Sequence, residues 1–355
     1  MYLQIFLITF IISLVSTWVI MRLALKLKIV DLPDKKRKIH KKGIPLLGGI
    51  AIFISFFCGL FFARDLLLSG NLEVSHWLGF FVGGAILMLG GFLDDKYNFS
   101  PGKQIIFPIL AAIVVIIGEI GIEKITNPFG DFLYLDVYKI PLLIWDGVVY
   151  NIVLFSDLLV FLWLLGMMYT TKLLDGADGL VAGVIGIGAL ITFLFTMTSM
   201  YYQPDIGIAA LILAAACLGF LIFNWHPAKI FLGEGGSLFL GYALGVLAII
   251  SGGKIAIALL VMGIPILDVI WTIIRRLFDK KNPFKISDRK HLHFRLLDIG
   301  LSQRVTVFMY YLVAGIFGLS ALFLQSMGKL FALVLLIIIM LIIVISFYKL
   351  DKKQA

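Results

Sequence analysis

The chain has 355 residues, of which 61% are hydrophobic and only 14% charged, with a mean hydropathy of +1.06 and a formal net charge of +9. A soluble domain carries about a quarter charged residues, so the polar surface needed to coat a water-facing globule is missing and a soluble fold is excluded. The positive balance is no argument for nucleic acid, because basic residues flanking apolar spans record membrane topology.

Apolar runs long enough to cross a hydrocarbon core of ~30 Å recur along the whole chain. The first, Tyr2 to Leu25, is longer than a signal-peptide core. It has no basic residue before it and no small-residue cleavage site after it, and reads as a retained helix. The others fall near 46–66, 76–93, 104–120, 154–171, 179–198, 206–223, 235–250, 254–276, 305–325 and 328–348. The pattern predicts an all-α polytopic integral membrane protein of about eleven transmembrane helices, folded as a single domain over 1–355. The stretch 121–153 mixes aromatic, proline and acidic residues and suits a short surface hairpin. Cys58 and Cys217 both lie inside apolar runs and imply neither a disulfide nor a metal site.

Of the 30 lysines and arginines, 25 fall at the end of the first span, in the loops 26–45, 94–103, 172–178, 224–234 and 277–304 with their flanks, or in the tail. Only Arg64, Lys124, Lys139, Lys254 and Lys329 fall on the other side. That asymmetry predicts an outside N-terminus and a cytoplasmic C-terminus.

The same loops hold the acids. Asp94 and Asp95 close the third span in GFLDDKYN, Asp175 and Asp178 sit in LLDGADGL, and Glu234 lies in FLGEGGSLFLG. Any one of them alone reads as a solvated loop carboxylate or a helix cap. Three acidic clusters on one face are different, because neighbouring carboxylates at a low-dielectric boundary repel one another unless a cation neutralises them. Mg2+ suits hard carboxylate oxygens and leaves room for phosphates and water; Mn2+ is the alternative. Two basic clusters accompany the acids: KKRKIHKK, with His40, and SDRKHLHFRLL, with Arg289, Lys290, His291, His293 and Arg295. Lipid attraction explains the lysines of the first cluster, but histidine adds little to that signal. A row of donors fits a diphosphate or a nucleobase. Metal ligation by His291 and His293 competes with that reading, without a cysteine or acid at supporting spacing. Asp268, in GIPILDVIW, falls within the ninth span, where it serves either a hydrogen bond to a neighbouring helix or a function.

In this order, DLPDKKRKIHKKGIPLLGGIAIF, GFLDD, LLDGADGLVAG, FLGEGGSLFLG, PILDVIWTIIRR and DRKHLHFRLL resemble the polyprenyl-phosphate N-acetylhexosamine-1-phosphate transferase family. The phospho-MurNAc-pentapeptide translocase is its more distant sibling. The resemblance implies an eleven-span, N-out enzyme of the bacterial inner membrane with a cytoplasmic active site. Its reaction moves a sugar 1-phosphate from a UDP-N-acetylhexosamine to undecaprenyl phosphate and releases UMP, starting a cell-envelope polysaccharide. It implies catalytic roles for Asp94, Asp95, Asp175 and Asp178, and metal ligation among Glu234, Asp95 and Asp175. Substrate binding would fall to Lys103, Lys172, Asn224, Arg289, His291, His293, Arg295 and His40. Besides these substrates, the implied partner is membrane lipid, with no nucleic acid and a homodimer left open. The pentapeptide transferase reaction is the near rival, and an ion or solute transporter the distant one.

Three positions depart from the family pattern. Glu234 stands where the family's GDxGS motif has aspartate, Lys172 where asparagine is usual before DGxDG, and Phe294 where a final histidine is usual.

Overall fold

A computed structural model describes residues 1–32, 43–70, 72–127, 129–145, 148–199, 201–252, 254–278 and 290–354. His40, the rest of the 33–42 basic cluster and Arg289 lie outside the described residues. In chain order the elements begin with α1 (Tyr2–Lys26), β1 (Val30–Asp31), β2 (Ile44–Pro45), α2 (Gly48–Phe62), α3 (Arg64–Leu67), α4 (Val74–Tyr97), α5 (Pro101–Gln104) and α6 (Ile106–Ile117). Four short strands follow, β3 (Lys124–Thr126), β4 (Phe132–Tyr134), β5 (Lys139–Trp145) and β6 (Val148–Val153). The rest is helical: α7 (Leu154–Leu174), α8 (Leu180–Thr196), α9 (Pro204–Asn224), α10 (Gly233–Ile250), α11 (Ile255–Val261), α12 (Gly263–Phe278), α13 (Leu292–Asp298), α14 (Gln303–Phe323) and α15 (Ser326–Gln354).

The expected helical membrane class holds. Among the described residues seven helices are long and apolar enough to cross a membrane, and the bent pair α11–α12 makes an eighth. Apolar helices of 10–17 residues stand at the remaining three expected spans, Gly48–Phe62, Pro101–Ile117 and Leu180–Thr196. Two details differ from the expectation. The stretch 121–153 forms two antiparallel hairpins, β3–β4 and β5–β6, rather than one. The ninth span is not one rod but breaks after Met262, with a bend of 78°. Pro265, in the first turn of α12, has no N–H to extend the preceding ladder, so a new helix starts there in a new direction.

α10 is the hub, buried along nearly its whole length, whereas α15 is mostly exposed. It packs on α7, α4 and α2. Tyr242 Oη donates to Phe80 O at 2.9 Å and Trp163 Nε1 to Gly245 O at 3.1 Å, tying α10 to α4 and α7. Interhelical polar contacts and small residues stand in for the hydrophobic drive that lipid cannot supply.

The start of α10 depends on glycine. A methyl group built on Gly49 would overlap the backbone of Gly236, and one on Gly91 the backbone of Gly235. α2 and α4 therefore both meet α10 in backbone contact. The first N–H groups of α2 are satisfied there, Gly48 N donating to Phe231 O at 2.9 Å and Gly49 N to Leu232 O at 2.8 Å. Because backbone cannot yield as a side chain does, Gly91→Ala should cost about 1–3 kcal/mol through overpacking. Gly102→Ala, with nothing within 4 Å of the added carbon, should be near neutral. Melting of the two variants in detergent checks the contrast; equal stability would refute the backbone contact.

Candidate active site

The start of α10 carries Glu234 into a cluster of charges drawn from four elements. Asp95, in the last turn of α4, accepts a hydrogen bond from Glu234 N at 3.1 Å through Oδ1. A carboxylate is well placed there, against the unsatisfied N–H groups and positive end of a helix. The preceding Gly233 sits at φ +74°, and a side chain on it would meet Asp95 Oδ2. Lys172, from the last turn of α7, reaches Glu234 Oε2 at 2.8 Å and donates to Gln104 Oε1 of α5 at 3.0 Å. Two residues that depart from the family pattern, Lys172 and Glu234, are thus partners.

The DGADG loop follows α7. Asp178 is held by His226 Nδ1 at 2.7 Å and by Ala228 N at 3.1 Å, both on Oδ2. Asn224 is buried, its Oδ1 accepting from Gly179 N at 3.0 Å and its Nδ2 donating to Ile230 O at 2.8 Å. Gly179, at φ +80°, also has its carbonyl held by Tyr311 Oη at 2.6 Å. These bonds lock the 224–231 loop onto the acidic loop, so the amide of Asn224 is spent on architecture.

Asp175 differs from its neighbours. Among the described residues no hydrogen bond or ion pair engages it. Its side chain is exposed at the edge of the cluster. Desolvation by the surrounding protein, then the negative charges of Glu234, Asp178 and Asp95, push its carboxyl up to about 8. Asp94 is buried and its Oδ1 accepts from Phe99 N at 2.7 Å, shaping the turn after α4.

His291 and His293, at the start of α13, are buried, and their rings stack at 5.9 Å with 6° between planes. His293 lies against Gly176, whose added methyl would overlap its Nε2, so the histidine and acidic loops touch. Arg295 stacks over Phe347 of α15 at 5.1 Å, and Lys103 is exposed on α5. The structure thus brings together Asp95, Lys172, Asp175, Asp178 and Glu234, with His293 at their edge.

Sequence reasoning missed Gln104 and His226, which are linked to the cluster only through space. The pairing of His226 was foreseeable at most as one more histidine in a loop of the same set. Asp268 was expected either to bond a neighbouring helix or to act; its partners prove to be His291 Nδ1 at 2.9 Å and Leu292 N at 3.0 Å, both in the histidine loop. A large groove of about 600 Å³ lies elsewhere, between Phe53, Phe57, Trp77 and Phe81, with Arg64 its one charged liner. Among the described residues its lining is apolar apart from Arg64 and includes no carboxylate.

Among the described residues, no three His, Cys, Asp or Glu side chains form a ready cage for a metal. Mg2+ does not require one, since it is usually held by one or two carboxylates plus substrate phosphates and water. Asp175, uncommitted and crowded by negative charge, and Glu234, compensated on one side by Lys172, fit that donor set.

A polytopic helical membrane protein with a carboxylate cluster at one end of the bundle is the class that fold and site define. Residues 77–252 match the model of glycosyl transferase family 4. The chain is 34% identical, over 95% of its own length and 90% of the relative's, to the "Probable undecaprenyl-phosphate N-acetylglucosaminyl 1-phosphate transferase" of Bacillus subtilis. It is 30% identical to the "Decaprenyl-phosphate N-acetylglucosaminephosphotransferase" of Mycobacterium tuberculosis, covering 88% of this chain and 79% of that one. It is 31% identical to the "Phospho-N-acetylmuramoyl-pentapeptide-transferase" of Thermodesulfovibrio yellowstonii, covering 74% of each. The chain belongs to glycosyl transferase family 4.

The raised Asp175 carboxyl has a signed consequence. Between its ordinary value of 3.8 and about 8 the folded state keeps a proton that the unfolded state has released. The stability it contributes is complete below pH 4 and lost as pH rises through 8. In chelator, Asp175→Asn should therefore gain on the wild type as pH goes from 5 to 8.5, read as a widening difference in Tm. A Tm difference, variant minus wild type, that stays constant or falls over this range would contradict the crowding.

Proposed function

We propose that the protein transfers N-acetylhexosamine 1-phosphate, with GlcNAc 1-phosphate the first choice, from a UDP-sugar to undecaprenyl phosphate. UMP is released, and the lipid-linked product begins a cell-envelope polysaccharide. The observation that carries the reading is the meeting of Asp95, Asp175, Asp178 and Glu234 around Lys172 at one end of a membrane bundle. The activities named for the relatives support it, and so does the resemblance in motif order. Eleven crossings, an outside N-terminus and a cytoplasmic site in a bacterial plasma membrane belong to the same proposal, supported by the lysine and arginine asymmetry.

In the reaction, an oxygen of the lipid phosphate attacks the phosphorus that bears the sugar. The new P–O–P bond forms as the bond from that phosphorus to the bridging oxygen of UMP breaks, and UMP leaves with the electron pair. A phosphate monoester, with a second pKa of about 6, is mostly dianionic at pH 7 and is already a nucleophile. The protein's task is accordingly to bring two anions together and stabilise charge on the leaving group. Asp175 and Glu234 would hold Mg2+. When bound, that ion supplies charge neutralisation on the diphosphate. Lys172 offers a fixed ammonium beside it. Asp95 holds the start of α10 in place, and Asp178 orders the 226–228 loop. Asp94, engaged with Phe99 N, is better suited to shaping the turn than to moving a proton.

The test uses purified protein, undecaprenyl phosphate and Mg2+ with UDP-GlcNAc, UDP-GalNAc or UDP-MurNAc-pentapeptide, scored for UMP and lipid product. UDP-GlcNAc should be turned over and EDTA should stop it. Glu234→Gln should lower kcat about 100-fold or more, the scale of losing one electrostatic contact in a transition state. Lys172→Asn and Glu234→Asp should each impair the enzyme, and their combination should recover activity relative to the worse single variant, as directly paired residues do. Turnover of the pentapeptide donor alone would favour the translocase reaction, and no UMP from any donor would overturn the proposal.

A further inference from the structure

One acid stands apart from the carboxylate cluster. Asp268 lies on α12, the second half of the broken span, and is only 5% exposed. A carboxylate in such surroundings is costly unless its lone pairs are satisfied. Here both oxygens are used: Oδ2 meets His291 Nδ1 at 2.9 Å and Oδ1 accepts from Leu292 N at 3.0 Å. One turn along the same face, Thr272 Oγ1 lies 3.5 Å from His291 Nδ1. With Arg276 a further turn on, the buried polar residues of α12 recur at intervals of four and form a stripe along one side of the helix. The bend at Met262 gives α12, and with it this stripe, a direction of its own.

The contacts continue beyond His291. Its ring stacks parallel on that of His293, and His293 lies against Gly176 between Asp175 and Asp178. A line of direct contacts thus runs from α12, through two imidazoles, to the acidic loop. A carboxylate that grips both the imidazole and the next backbone N–H fixes where the ring sits and which nitrogen bears hydrogen. The nitrogen facing the carboxylate must donate. Carboxylate partners of functional histidines orient them in this way.

We infer that Asp268 is the positioning residue of the active site: it holds His291 with its hydrogen on Nδ1 and, through the stacked His293, seats the histidine loop on the acidic loop. The inference rests on the transfer reaction proposed above only in what the loop serves, namely the nucleotide-sugar.

Asp268→Asn tests the assignment with little change of shape. The carboxamide oxygen can still accept from Leu292 N. Its NH2 then faces His291 Nδ1 and requires that nitrogen to accept, which moves the imidazole hydrogen to Nε2. The analogous exchange in a catalytic triad leaves geometry intact and fails through the wrong tautomer. The expected result is a KM for the UDP-sugar raised at least tenfold, with the KM for polyprenyl phosphate unchanged. In a His291→Ala background the same exchange should add less than a twofold effect. A purely structural loss would lower the active fraction, and so kcat, without moving either KM. In parallel, 15N spectra of histidine-labelled wild-type protein should place the His291 hydrogen on Nδ1, a reading that needs neither a variant nor turnover. If the protein turns over no UDP-sugar, the reaction proposal falls while the spectrum still decides this one. An unchanged KM in Asp268→Asn, additive effects with His291→Ala, or a wild-type His291 carrying its hydrogen on Nε2 would each overturn it.

Discussion

Backbone-to-backbone contact at the start of α10 governs the polar end of this molecule. Gly235 lies against Gly91 of α4 and Gly236 against Gly49 of α2, at distances that leave no room for a methyl group. Residue 234 is thereby brought within a hydrogen bond of Asp95, and the carbonyls of Phe231 and Leu232 fall onto the first N–H groups of α2. A pair of helix starts, each with unsatisfied donors, is thus resolved by one set of contacts. Small residues are the ordinary means of close helix approach in lipid; here they also set the address of a carboxylate.

Once four acids are gathered, the question is which are committed. Asp95 answers a helix terminus and Asp178 answers a histidine and a backbone N–H. Asp175 has no such partner among the described residues, and its carboxyl is pushed up to about 8. The arrangement is stable as a protein yet short of positive charge where substrate phosphates would add still more negative charge. That shortage is what a divalent cation relieves.

Much of this was legible in the sequence, and the reason is contrast. In a chain with so few charges, acids that recur at the ends of apolar runs stand out, and the lysine and arginine asymmetry sorts them onto one side. Lipid-facing helices were legible from hydropathy for the same reason. The break in the ninth span was not, since glycine and proline inside an apolar run are compatible with a continuous membrane helix as well as with a bent one. Nor were Gln104 and His226, because nothing local marks a side chain whose partner lies 68 or 48 residues away. Asp268 was visible as an anomaly, but its partner 23 residues on was not, because that pairing depends on a bend the sequence leaves open.

The departures from the family pattern read differently once their contact is known. Taken singly, glutamate for aspartate displaces a carboxylate by one methylene, and lysine for asparagine introduces a charge beside an acidic loop. Together they meet at 2.8 Å. Lengthening the acid carries it to where the ammonium waits, and the ammonium offsets its negative charge beside the acidic loop. Lys172 is largely covered, at 17% side-chain exposure, and Glu234 remains 35% exposed, so the pair is neither sealed away nor fully screened by water. An ion pair so placed adds modest stability. The change is therefore better understood as one coupled exchange, which keeps the local charge balance and moves the carboxylate, than as two losses from a motif.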